Sequence, residues 1–124
     1  MDNTFANDEK LYRAVYPASY SQMYWKKDGS LSSAAFRDPD GLSVERGNFR
    51  SDQNVIKEMQ GFFKGCIVSV TAEQCYATNA SIQYKPTRRS IYHSEIHGNE
   101  NTLVLSASQR KHLASVAQIE YFEK

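Results

Sequence analysis

Residues 51–70, SDQNVIKEMQGFFKGCIVSV, decide the fold class. Val55, Ile56, Met59, Phe62 and Phe63 recur at the spacing that lines one face of an α-helix. Ser51 or Asp52 stands where an N-cap is needed, and Gly65 stands where a helix predicted over 52–64 has to stop in a left-handed conformation. The aliphatic run Cys66–Val70 that follows is too short for a helix and reads as a buried central strand. A helix handing directly on to a buried strand predicts a layered domain of mixed α and β character.

Downstream, Thr71 with Gln74 three residues on makes a capping box, so a brief helical turn over 72–76 is expected to feed a strand over 81–85. Pro86 ends that strand, and Ile91–His97 reads as the next one. Thr102–Leu105 is expected to be a strand as well. Ser106 with Gln109 then caps a second main helix carrying Leu113, Val116 and Ala117, and Ile119–Phe122 closes the chain as a strand.

Upstream, Leu11–Tyr16 suits a first strand that Pro17 terminates, and a polar segment over 1–10 precedes it. Residues 18–48 are rich in Ser, Gly, Asp and Pro, with turns at Asp28-Gly29 and Pro39-Asp40-Gly41; the short segments Leu31–Phe36 and Leu42–Glu45 are expected to pair at a sheet edge. The sum is a single α+β domain over 11–124, with a mixed, mostly antiparallel sheet of six or seven short strands and two main helices.

The chain has 124 residues, enough for one ordinary core without metal or disulfide staples. Fifteen basic against fourteen acidic side chains leave no global field that would draw nucleic acid or an anionic membrane, and sequence-specific DNA reading is not expected. No apolar run approaches the ~20 residues of a membrane span, and the acidic, polar first ten residues do not read as a signal peptide, which predicts a cytoplasmic protein. Cys66 and Cys75 lack a second pair and are expected to be reduced, buried small hydrophobes.

Several short segments carry more chemistry than a core needs. On a strand of period two, His93, Glu95 and His97 project from one face, a geometry that offers metal ligands or a base, although a solvated polar face is the commoner use of such a pattern. Arg13 sits inside the apolar LYRAVY strand and wants a partner, either a carboxylate such as Glu95 or an anionic ligand. Ser33 and Ser43 lie in hydroxyl-rich turns, and Lys85, Arg88 and Arg89 form a basic corner ahead of His93, able to touch a phosphate. No Gly-x-Ser-x-Gly elbow occurs, so nucleophilic serine chemistry has no elbow motif behind it.

Leu11-Tyr12-Arg13, Ser32-Ser33-Ala34-Ala35-Phe36, Leu42-Ser43-Val44 and Tyr92-His93-Ser94-Glu95 together resemble an uncharacterised family of small bacterial proteins, which implies a bacterial or phage setting and a single domain. The order Arg13, Ser33, Glu95 also resembles ADP-ribosyltransferases of the Arg-Ser-Glu type. That resemblance implies Arg13 on dinucleotide phosphates, the Ser33 segment at the nicotinamide pocket and Glu95 on a ribose hydroxyl. The motif strings differ from that family's usual ones.

Two functions follow as expectations. The first is a ligand-binding or protein-interaction domain with an aromatic-lined pocket, fed by the Tyr and Trp residues near Tyr20 to Trp25. Its ligand would be a small anion or nucleotide, held by Arg13, Ser33, Ser43, Lys85, Arg88, Arg89 and His93, and a protein partner or homo-oligomer is equally compatible. The second is a small enzyme acting on a nucleotide or nucleic acid, through Arg13, Ser33, His93 and Glu95 or through a metal held by His93, Glu95 and His97. The sequence specifies no cofactor.

Overall fold

The computed structural model describes residues 1–123, so of the expected 11–124 domain only Lys124 lies outside them. Among the described residues six strands form one sheet: β1 (Lys10–Val15), β2 (Leu42–Arg46), β3 (Cys66–Thr71), β4 (Ser81–Tyr84), β5 (His93–His97) and β6 (Gln118–Tyr121). Their order is β4-β5-β2-β1-β3-β6, and every neighbouring pair is antiparallel. With α1 (Asp52–Gln60), α2 (Ala72–Ala77) and α3 (Ala107–Val116), this is an α+β fold of six strands, not seven. No helix among the described residues is long and apolar enough to cross a membrane.

The two faces of the sheet are used unequally. Leu11, Val15, Leu42, Val44, Val68, Val70, Ile82 and Ile96 point to one face and pack with Phe36, Ala72, Cys75, Leu105 and Leu113 in the main core. On the other face Tyr12 and Ile67 meet Val55 and Met59 of α1 in a smaller cluster. β3 is buried on both sides, which is why its sequence is a continuous apolar run and not an alternation. The part of the second face formed by β2 and β5 carries Ser43, Glu45, His93 and Glu95, by strand alternation from the core residues Val44 and Ile96.

Local chemistry sets the helices. The Ser51 hydroxyl accepts from the Asn54 N–H at the start of α1, and both expected capping boxes form, Thr71 with Gln74 and Ser106 with Gln109. α1 ends at Gln60, short of the expected Lys64, because Gly61, which costs ~1 kcal/mol inside a helix, takes the C-cap. Gly65 keeps a separate role at φ +119°, turning the chain into β3 where a Cβ would stand 2.7 Å from the Val15 carbonyl oxygen.

Four strand expectations are corrected. Leu31–Phe36 does not join the sheet: the Ser32 hydroxyl accepts from the Ala34 N–H and winds Ser33–Phe36 into a 3₁₀ turn, leaving only Leu31 bridged to Trp25. Leu42–Glu45 pairs, but as an interior strand between β5 and β1 and not at an edge. Thr102–Leu105 makes a single bridge, Thr102 to Asn99, and Leu105 enters the core as a loop residue. β5 likewise starts at His93, since Ser90 to Tyr92 form a turn in which the Ser90 hydroxyl accepts from the Tyr92 N–H.

The polar segment over 1–10 packs into the domain. Phe5 is buried, and the Arg46 guanidinium lies 3.9 Å above its ring while donating to Glu9 at 2.8 and 2.9 Å and to the Asp2 and Thr4 carbonyls.

β1 and β2 form a fork. They pair only through Leu11–Arg46 and Tyr12–Glu45, whereas β1 stays in register with β3 up to Val15–Cys66 and β2 stays with β5 up to Leu42–Ile96.

Candidate functional site

Arg13 occupies the mouth of this fork. On the face of Leu11 and Val15, its Nε donates to the Ala35 carbonyl at 2.6 Å and its Nη1 to the Ser43 carbonyl at 2.9 Å. It forms no ion pair with a carboxylate among the described residues, and Nη2 finds no protein acceptor. Burial pulls the guanidinium below its ordinary pKa, an effect that the field of Asp38 partly offsets. It nonetheless keeps its charge, because so basic a group does not deprotonate in a protein.

A cavity of about 400 Å³ opens beside it, lined by Arg13, Tyr16, Tyr24, Phe62, Phe63 and Lys64, with Ala14, Val15 and Ala35 as its floor. Tyr16 stacks obliquely on Tyr20 at 4.9 Å and faces Tyr24 at 6.2 Å. The Trp25 indole N–H holds the Tyr16 carbonyl at 2.8 Å, so the aromatic wall is tied to the main core. Lys64 makes no ion pair among the described residues. A second, smaller cavity of about 100 Å³ shares Arg13, Ala14 and Phe63 with the first and extends along the opposite face to Ser43, Glu45 and His93.

The polar strand face beyond that second cavity is internally connected. His93 Nδ1 lies 2.7 Å from the Lys85 carbonyl and Nε2 lies 3.2 Å from the Ser43 hydroxyl. Glu45 is buried and accepts from the Ser90 hydroxyl at 2.7 Å; burial pushes its carboxyl above the usual value, with Ser90, Arg50 and His93 pulling the other way. Glu95 accepts from His97 at 2.8 Å and lies 3.6 Å from the Lys85 ammonium. Burial raises its carboxyl pKa, but His97, Lys85 and His93 together outweigh that and hold it below the usual value.

The structure therefore divides the residues singled out from sequence. Ser43 and His93 meet. His93 and His97 turn to different partners, and among the described residues no three His, Cys, Asp or Glu side chains are grouped to hold a metal ion. Arg13 does not reach Glu95: the two project from opposite faces of the sheet, and backbone carbonyls take the place of the expected carboxylate. Ser33 begins the 3₁₀ turn whose Ala35 carbonyl Arg13 holds, so it stands on the Arg13 side, away from Glu95. Arg88 and Arg89 lie on a shallow surface with Glu58 and Phe62, where Arg89 stands 5.9 Å over the Phe62 ring. Cys66 and Cys75 are free and buried.

Tyr24 lies in the Tyr20–Trp25 stretch expected to feed an aromatic pocket, whereas Tyr16, Phe62, Phe63 and Lys64 are lining residues not singled out for it. Phe62 and Phe63 read as core because they continue the α1 stripe, and nothing local marks Lys64. Comparison with protein-family models, curated proteins and solved structures finds no match, so geometry alone carries the reading of this site.

Proposed function

We propose that the protein is a small ligand-binding domain, that its site is the aromatic cavity at the β1–β2 fork, and that it takes a small planar organic anion, the class that includes mononucleotides. The observation that carries this is Arg13: a half-buried cation with no carboxylate partner, fixed by two carbonyls on a cavity walled by Tyr16, Tyr24, Phe62 and Phe63. A planar guanidinium matches phosphate or carboxylate oxygens in pairs, and aromatic walls bind a flat ring at low entropic cost. Lys64 adds a second positive charge at the rim. The volume lies within the range of small-molecule sites.

The ADP-ribosyltransferase-like alternative needs Arg13, Ser33 and Glu95 around one cleft, and their placement on two sides of the sheet lends it no support.

Thermal melting with AMP and with adenosine tests the proposal. Saturating AMP is expected to raise the midpoint by several degrees, since a ligand at 100 times its Kd adds ~2.7 kcal/mol. Adenosine, which lacks the anion, is expected to do much less. Equal shifts, or none with AMP, benzoate and inorganic phosphate alike, overturn it.

A further inference from the structure

On the opposite face of the fork, we propose that Ser43 and His93 form a nucleophile and general-base pair able to transfer the acyl group of a small carboxylic ester to water. The tautomer that the neutral imidazole takes follows from its partners. A backbone carbonyl can only accept, so the Lys85 oxygen at 2.7 Å requires the hydrogen on Nδ1 of neutral His93. Nε2 is then an acceptor, and the Ser43 hydroxyl at 3.2 Å donates to it. A serine hydroxyl aimed at an imidazole whose other nitrogen is oriented by a third group is the arrangement that activates a serine.

The supports are rigid. The Lys85 N–H donates in turn to the His93 carbonyl at 3.0 Å, so Lys85 and His93 hold each other by two bonds. Ser43 and His93 sit on adjacent interior strands, β2 and β5. Ser43 is solvent-reachable and borders the cavity of about 100 Å³ whose other walls include Tyr12, Ala14, Val44, Met59 and Phe63, an apolar space sized for a short acyl chain. The Ser43 N–H points to the same side as its carbonyl, which faces Arg13 in the fork where Ala14 no longer pairs with Ser43. It is thereby a donor for developing negative charge on the substrate oxygen.

In the reaction, Ser43 Oγ attacks the ester carbonyl carbon while its proton passes to His93 Nε2. The carbon–oxygen bond to the leaving alkoxide breaks and that proton goes to it, releasing an alcohol and leaving acyl-Ser43. Water then attacks the acyl carbon, His93 takes its proton and returns it to Ser43, and a carboxylic acid departs.

4-Nitrophenyl acetate and a fluorophosphonate are the probes, with Ser43→Ala and His93→Gln as variants and folding checked by circular dichroism. The expected result is 4-nitrophenol release above buffer, reduced ~100-fold or more in both variants, and fluorophosphonate on the peptide containing Ser43. Should His93→Gln fail to fold, Ser43→Ala, at an exposed position, decides alone. Hydrolysis that survives Ser43→Ala, acetyl found on lysine or tyrosine and not on Ser43, or no labelling by either probe overturns the proposal.

Discussion

Arg13 Nη1 reaches the Ser43 carbonyl oxygen at 2.9 Å across a gap where β1 and β2 have stopped pairing. Continuing the register from Leu11–Arg46 and Tyr12–Glu45 places Ala14 opposite Ser43, so a side chain supplies the bond that the ladder lacks. The fork stays open without abandoning the Ser43 carbonyl, and an open fork in the middle of a sheet gives a 124-residue domain two cavities around one cation.

Arg13→Met leaves the Ala35 and Ser43 carbonyls without their donor and is expected to lower stability by about 2 kcal/mol, read as a shifted urea midpoint with unchanged slope. Arg13→Lys should recover less than half, because an ammonium lacks the fork that reaches two carbonyls at once. A midpoint for Arg13→Met indistinguishable from the parent contradicts the bridge.

Glu9 and Arg46 are both almost wholly buried and bonded to one another. Removing either partner strands the other's charge, so Glu9→Ala and Arg46→Ala should each cost ~3–5 kcal/mol by chemical denaturation. The double change Glu9→Leu with Arg46→Met should cost clearly less than either single change. Additive losses would show that the pair's weight lies in the bonds to Asp2, Thr4 and Asn48 instead.

Glu45 links stability to pH. Burial raises its folded-state pKa above that of the unfolded chain, so its contribution to stability is present below the unfolded value and is lost as pH rises through the folded one. Glu45→Gln keeps an acceptor for the Ser90 hydroxyl and removes the buried charge. Relative to the parent it should gain stability at about pH 7 compared with about pH 4. A thermal-midpoint difference that is flat, or that falls with pH, contradicts this.

Burial pushes the Cys75 thiol up to about 12 and the Cys66 thiol upward as well. Neither should react with a disulfide reagent at neutral pH in the native protein, and both should react once it is unfolded. Prompt modification of one thiol in the native state would place it at the surface.

Local signals in the sequence carried most of the fold. The α1 stripe of Val55, Ile56 and Met59 and the capping hydroxyls of Thr71 and Ser106 are readable because neighbours in the chain satisfy them. Ser32 shows the limit: its hydroxyl can serve a strand or cap a turn, and burial of Ala35 and Phe36 favours the turn. Thr102–Leu105 has strand composition but pairs only through Thr102, to Asn99. At the site, the spacing of His93 and Glu95 gave their shared face, and Ser43 and Arg13 stood out by chemistry. That Ser43 meets His93 while Arg13 and Glu95 part depends on strand order, a long-range property that no local pattern encodes.

The cavity at the fork is tested most directly by titrating AMP and adenosine while following Trp25, the only tryptophan, whose indole holds the carbonyl of the cavity residue Tyr16. The expected result is a saturable change in Trp25 emission with AMP that weakens as salt rises, as an Arg13–phosphate contact requires, and a much weaker response to adenosine. Emission unmoved by AMP, or moved equally by both compounds at every salt concentration, contradicts it.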